Sequence, residues 1–392
     1  MTKYITHVEY PYAKTWDKES NYVTFKLSNV DNSFANAVRR IILTDIKSIG
    51  IKTRPYNESD IVMVKNETDM DNQKLSHRIG MIPINIEYPD DFDINDHQFY
   101  INKENDTPEI MTVTSEDFMI KKLSTDKNLT REEVKKIFPP NVLTNEYMFI
   151  CYLSPDKTGN KTGGKLNFNA KASYRTARED AKFNIGLSAY ANEQDPKKVE
   201  KAWKDYFEEE HKKTGESKEI LRRRFDIGIA PRHFYTDEFG YPSSFNFFIE
   251  AFTCIPPMVI LHKALNILHQ KLTTFINNIT SNNINEVDIY PSEVDMKAYD
   301  FLISHENHTL IVLLQSYIWQ LFGGDNAVVY VGNVKPHPLQ DKCIIRVALR
   351  PDINTKEHAT EIVVKTSKRL LEITKIMIDT VSADPVVSKF LK

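Results

Sequence analysis

Two apolar ladders, each about five or six helical turns long, constrain this chain more than any other feature. Met258, Leu261, Leu265, Leu268, Leu272, Phe275 and Ile279 recur at alternating gaps of three and four, and Val363, Thr366, Leu370, Ile373, Met377 and Thr380 do the same. That spacing draws one continuous seam along a helix, the pattern of a helix packed lengthwise on another helix. Fully burying an aliphatic side chain is worth roughly 1.5–3 kcal/mol, so neither seam is expected to remain in water. Met258, Leu261, Leu265, Leu268 and Leu272 are therefore expected to pair internally with Leu370, Ile373 and Met377.

The segments that lead into the ladders repeat one plan. Tyr22 to Leu27 alternates at period two, a half-buried strand. Asp31, Asn32 and Ser33 offer N-cap side chains to a helix carrying Phe34, Val38, Ile41 and Ile42 to about Lys47, with Gly50 ending the unit. Ile61 to Val64 reads as a strand, and Asp69 to Asp71 can cap a short helix with Leu75 and Ile79 on one side and Gly80 as its left-handed C′ residue. Phe245 to Glu250 is a strand, and Pro256-Pro257 opens the first ladder. After a polar linker, residues 281–286, the plan returns: strand 299–303, a helix through Leu310, Leu313, Leu314, Tyr317, Ile318 and Leu321 stopped by Gly323-Gly324, a strand pair at 328–331 and 344–349 with Arg346 outward, and the second ladder. Two related halves, each with a half-exposed seam, suggest a pseudo-twofold pair inside one α+β chain. Residues 88–240 are more polar, and 90–96 and 193–219 look like loops or a mobile insertion, with helical character near Trp203, Tyr206 and Phe207.

Composition excludes several function classes. The 392 residues suit two or three domains at roughly 150 each, and 41% hydrophobic with 27% charged residues is ordinary globular usage. Fifty-one basic against 54 acidic residues leave a net charge of −3, without the basic excess of a duplex-coating protein. Cys151, Cys254 and Cys343 are scattered and odd in number, encoding neither a disulfide framework nor a zinc ribbon. There is no span-length apolar run and no secretory start, so a soluble, cytosolic protein is expected.

Candidate chemistry is thin. Residues 159–165 satisfy the first part of a phosphate-loop pattern, but Leu166 replaces the magnesium-binding hydroxyl and the following residues alternate like a strand, so a hairpin turn is expected. His262 and His269 flank the first seam and are expected to face solvent or a partner. Asp288, Glu293 and Asp295 could bind magnesium, but nothing positions them together. Arg222-Arg223-Arg224 adjoins an acidic stretch and reads as a solvated helix face. Arg39-Arg40, inside an apolar helix beside Ala35 and Ala37, is different: small residues admit a second backbone, and arginine forks suit ion pairs at an interface.

The words around that helix carry a resemblance. Asn29-Val30-Asp31-Asn32-Ser33-Phe34-Ala35-Asn36-Ala37-Val38-Arg39-Arg40-Ile41 closely resembles the opening helix of the α-like subunits of DNA-dependent RNA polymerase, the third-largest-type subunit of eukaryotic polymerase II and its archaeal D counterpart. Leu75 to Ile84 looks like the family's second motif. Asp180-Ala181-Lys182-Phe183 resembles a third, usually His-Ala-Lys-Trp, from which Asp180 and Phe183 depart. Phe247 to Glu250, running through Ile255-Pro256 into the long helix, matches the return to the dimerisation domain. The tail is similar to the smaller partner, of eleventh-subunit or archaeal L type: Glu306 to Leu310, then Lys335-Pro336-His337-Pro338-Leu339 and Ile345-Arg346-Val347, with Ile311-Val312 where that family usually has Gly-Asn. Residues 88–168 and 193–240 lie outside the resemblance. A single fused chain rich in Asn, Ile and Lys resembles the polymerase subunit of large nucleocytoplasmic DNA viruses.

The resemblance implies two α-like dimerisation modules paired within one chain, plus an inserted mixed α/β domain. Residues 1–50 and 226–285 would form the D-type module, 51–225 the insert and 286–392 the L-type module. It implies a non-catalytic assembly platform, no enzyme by itself, that docks the two largest subunits of a nucleotidyltransferase complex. Phe34, Asn36, Arg39, Arg40, His77, Arg78, Glu306, His308 and His337 would lie at subunit interfaces, with the Arg39-Arg40 helix toward the second-largest subunit and the tail half toward the largest. Small zinc-binding subunits would neighbour the insert. No cofactor or metal is implied, since Cys151 alone cannot build the Cys-rich site of some relatives. DNA would be met only through the complex, no membrane is involved, the chain is not a homo-oligomer, and its location would be the viral factory of the host cytoplasm and the virion. Two competing readings are a phosphoryl or nucleotidyl transferase using residues 159–165, and a stand-alone single-stranded nucleic-acid binder using aromatics with Arg222 to Arg224.

Overall fold

One strand order is built twice. The computed structural model describes residues 3–11, 21–156, 163–293, 296–324, 326–337 and 339–391. In it a four-stranded sheet runs, in space, Ile5–Glu9, Tyr22–Ser28, Ser244–Ala251, Gly186–Asn192, and a second runs Val287–Pro291, Tyr299–Ser304, Lys342–Leu349, Val328–Val334. Numbered along the chain, both read first, second, fourth, third. Among the described residues the helices are α1 (Asn32–Thr44), α2 (Asn72–Gly80), α3 (Arg131–Ile137), α4 (Pro196–Thr214), α5 (Lys218–Gly228), α6 (Pro257–Thr280), α7 (His308–Phe322), α8 (Lys356–Ser382) and α9 (Pro385–Phe390). In each half the second strand feeds a shorter helix, α1 or α7, and the fourth feeds a ladder helix, α6 or α8.

The chain forms two compact units. One comprises Met1–Leu43, Leu187–Glu250 and Pro256–Lys392 and holds both four-stranded sheets; the other comprises Thr44–Gly186 and Ala251–Ile255. The boundaries differ from the expected 51 and 225. Residues 187–225 belong with the first unit because Gly186–Asn192 is a strand of its sheet.

Alternation decides which strand face is buried in the first unit. Val23, Phe25 and Leu27 point inward while Tyr22, Thr24 and Lys26 stay half-exposed. Phe25 lies opposite Phe247 in the antiparallel register, their rings stacked at 5.1 Å. In the second sheet Phe301 and Ile303 meet Ile345 and Cys343 in the same way. Arg346 does turn to the face opposite Ile345 and stays partly exposed, but there it lies directly opposite buried Asp300 and donates to both its oxygens at 2.7 and 2.6 Å. The alternation was legible, but the carboxylate across the ladder was not.

Residues 193–219, expected as loop or mobile insertion, are mostly helix. Asp195 caps α4 ahead of Pro196, and Gly215 ends it at φ +66°, where a side chain would be strained. α4 and α5 close on a small core of Trp203, Leu221, Phe225 and Ala230. Its dense surface charge hid this helical hairpin from a reading by composition.

The second unit is likewise more regular than expected between 88 and 168. A five-stranded sheet runs Ile61–Asn66, Lys165–Lys171, His97–Glu104, Met119–Lys122, Lys127–Asn128 around buried Phe99, Phe118, Phe138 and Phe168. Lys165 opens a strand, as expected, where a phosphate loop would open a helix; residues 157–162 of that stretch, like Asp295, lie outside the described residues. Gly80 is not left-handed. It is the last helical residue, followed by right-handed Met81, and glycine is needed for space: a Cβ there would lie 2.5 Å from Thr53 Cγ2. Lys182 Nζ, in the same corner, donates to Thr53 Oγ1 at 2.9 Å. Phe183, the departure from tryptophan, packs against Gly50, which is not a terminator but the end of the short strand Lys47–Gly50.

Arg346→Ala should destabilise the first unit by roughly 3–5 kcal/mol, because it leaves Asp300 buried and uncompensated. Chemical denaturation of that variant and of Asp300→Leu/Arg346→Leu checks this: the double variant should recover most of the loss.

Candidate subunit interface

The first motif builds its own anchor. Asp31 Oδ1 accepts from Phe34 N at 3.0 Å, capping α1, and Ser33 donates to the same carboxylate. Ala35 and Ala37 are fully buried along with Val38, Ile41 and Ile42, so α1 packs close on its inner side. Phe34, expected at a subunit interface, is also fully buried and belongs to the core; its aromatic bulk, three residues past the cap, sits on the inward stripe.

α1 and α7 clasp each other antiparallel. Ser316 and Gln320, late in α7, both donate to Asp31 Oδ2, the latter at 3.0 Å, and Arg40 Nε donates to Thr309 Oγ1 at 2.8 Å near the start of α7. Arg40 and Ser316 are each the ninth residue of their helix, and each reaches the other helix's N-terminus. That is the geometry of a twofold pair. Arg40 is therefore tied within the chain, while Arg39 turns back onto Asn36 Oδ1 of its own helix at 2.9 Å and stays half-exposed.

α6 packs along α8, with Met258, Leu261, Leu265, Leu268 and Leu272 on one side and Leu370, Ile373 and Met377 on the other, all buried. His262 bonds Ser382 at 3.1 Å and His269 bonds Thr374 at 3.1 Å, so this pair also runs antiparallel. Both histidines thus face α8 of the same chain, where solvent or an outside partner was expected. The buried hydroxyls of Thr366, Ser367 and Thr374 are satisfied by carbonyls one turn back in α8.

Glu306 is also spent internally: Lys271 of α6 donates to both its oxygens at 3.0 Å. His308 and His337 are exposed, the latter closing its own turn by accepting from Leu339 N at 3.2 Å. In the second unit His77 and Arg78 are exposed on α2; Arg78 donates to Ile150 O at 3.2 Å and lies over Phe149 at 5.4 Å. Asp31 and the Lys271–Glu306 pair were missed as ties. The available signal was polar Ser316 and Gln320, one turn apart in a largely apolar helix. Arg222, over Trp203 at 5.0 Å and paired with Asp226, and Arg224, paired with Glu216, hold most of the basic cluster's charge within the hairpin. Burial pushes the Cys151 thiol up to about 11, which disfavours the thiolate that a metal needs.

The first unit thus carries a strand–helix–strand-pair–helix layer twice, an α+β arrangement joined by two antiparallel helix pairs. Residues 24–272 match the family of the RNA polymerase Rpb3/Rpb11 dimerisation domain. The chain belongs to that family of α-like RNA polymerase subunits. It is 24% identical over 285 residues to the DNA-directed RNA polymerase II subunit RPB3 of Schizosaccharomyces pombe, covering 66% of this chain and 84% of the relative. It is 24% identical over 288 residues to the DNA-directed RNA polymerase subunit Rpo3 of Thermococcus kodakarensis, covering 68% and 96%. A "Conjugation stage-specific protein" of Tetrahymena thermophila is 29% identical over 135 residues; the match takes in 31% of this chain and spans only 40% of that protein.

Burial, with Lys263 alongside, lowers the pKa of His262. The unfolded chain, at about 6.5, then takes up this proton more readily than the folded one. The histidine's contribution to stability is present above about pH 6.5 and is lost as pH falls through that value toward the lower folded pKa. Denaturant midpoints at about pH 7.5 and pH 5.5 should fall further for the native chain than for His262→Gln; equal falls would remove His262 as the cause. A second expectation concerns the pairing itself. Cleavage at a protease site placed near Asn283 should leave both fragments associated, and the uncut chain should keep a single-chain native mass across a wide dilution range.

Proposed function

We propose that this chain is a self-paired, non-catalytic assembly platform of a multisubunit DNA-dependent RNA polymerase. The observation that carries the reading is the twice-used sheet order with its two antiparallel helix pairs, in a chain of the Rpb3/Rpb11 family. Where relatives of that name are separate subunits, here a D-type module around α1 and α6 and an L-type module around α7 and α8 share one polypeptide. The unit of residues 44–186 and 251–255 acts as the insert, with small zinc-binding subunits as its neighbours. Arg39, Asn36, His77, Arg78, His308 and His337 are the groups left toward solvent for docking the largest and second-largest subunits; Phe34, Arg40 and Glu306 serve the inside. The fused form supports a viral source, with action in the cytoplasmic factory and packaging in the virion.

Purification from the source with mass spectrometry of what accompanies the chain tests the reading; two very large polymerase chains should come along, and their absence would sink it. The two arginines should separate in that assay. Arg39→Glu should fold with native stability, within about 0.5 kcal/mol as for other surface changes, and fail to co-purify the second-largest subunit. Arg40→Glu should lose roughly 1–3 kcal/mol of stability as well, because it breaks the tie to Thr309.

A further inference from the structure

We propose that the groove between the start of α1, the outer face of α7 and strand Val328–Val334 binds a proline-rich segment of another polypeptide. The groove, about 630 Å³, has exposed aromatic walls in Trp319, Tyr330 and Tyr241. Val312 lies seven residues before Trp319 on the same face of α7 and extends the apolar wall. Its polar lining points one way. Tyr190 donates to Asn32 Oδ1 at 2.7 Å and Arg39 donates to Asn36 Oδ1 at 2.9 Å, which fixes each amide with its NH2 group free among the described residues. The indole N–H of Trp319 likewise has no partner among them. These three groups call for acceptors on the ligand, and the Tyr241 and Tyr330 hydroxyls, which also line the groove, can donate as well.

Charge narrows it further. Asp31 is the one charged residue among those lining the groove, and its carboxylate is filled by Phe34 N, Ser33, Ser316 and Gln320. With no cation in the lining, a phosphate chain or acidic peptide finds no counter-charge; with no free carboxylate, neither does a basic one. An uncharged chain that offers carbonyls, few N–H groups and apolar rings is polyproline: its carbonyls make no internal hydrogen bonds, its ring nitrogens donate none, and it docks on aromatic grooves. The inference stands on this chemistry and does not rest on the polymerase reading.

The test uses the full chain carrying 15N only in its three tryptophans, with the Trp319 indole resonance assigned through Trp319→Phe. Titration with decaproline should shift that resonance saturably, while a Gly-Ser decamer and decathymidylate leave it in place. Val312→Glu and Tyr241→Ala, both at exposed positions and checked for native circular dichroism, should each weaken the decaproline affinity about fivefold or more. The proposal is overturned by no shift with decaproline, by an equal shift with the Gly-Ser decamer, by a response to decathymidylate alone, or by folded variants that bind as the native chain does.

Discussion

The antiparallel seam between α6 and α8 is the contact on which the first unit depends. Its energy is of a different order from the ties around it. Each buried aliphatic side chain contributes roughly 1.5–3 kcal/mol, and the α6 side alone presents seven apolar positions at the seam spacing, all buried. The hydrogen bonds beside it contribute nearer 1 kcal/mol each. The seam therefore drives the two halves together, and the polar ties decide in which register they meet. Met258 and Leu261 sit near the end of α8 that carries Ser382, and only in that register do His262 and His269 find hydroxyls.

The clasp between α1 and α7 shows how much one residue can be asked to do. Asp31 satisfies the start of its own helix and accepts two bonds from the other half, so its charge never lies buried without partners. A buried carboxylate with one partner removed costs more than the pair is worth, which makes the clasp intolerant of a shifted register. Lys271 with Glu306 works in the same sense between α6 and the turn before α7. Asp31 and Glu306 lie in the motif words that carry the family resemblance, yet their work here is internal.

What was legible from residues alone follows from which forces leave a periodic trace. The seams, the capped helices and the alternating strands are written at periods of 3.6 and 2, and the structure has them. So is the repetition of the plan, although the identical strand order was not readable, because the sheets take in strands that the pattern did not single out, Ile5–Glu9 and Gly186–Asn192 in one and Val287–Pro291 in the other. The hairpin of α4 and α5 escaped because a core of four buried residues barely marks a surface dominated by charge. For the candidate site, exposure was the unreadable quantity. Phe34, Arg40 and Glu306 stand in the same words as Asn36, Arg39 and His308, and only the three-dimensional partners separate those facing inward from those facing solvent.

The connection between the halves bears on whether pairing stays within one chain. Residues 281–286 were expected as a polar tether, but they form a bonded turn. Ser281 N reaches Asn277 O at 2.9 Å, Asn283 N reaches Asn278 O at 2.9 Å, and Glu286 N reaches Asn283 O at 3.1 Å, with Asn282 left-handed at φ +50°. Glu286 O then accepts from Ser304 N at 2.9 Å, which fastens the turn to the second sheet. Exchanging halves with a neighbouring copy would require this turn to open and extend, giving up those bonds before any new seam forms. A short connection also holds the second half at an effective concentration on the order of millimolar, far above that of a second copy at ordinary concentrations. Both effects act in the same direction, so the turn and the seam together hold α6 and α8 of one chain against each other.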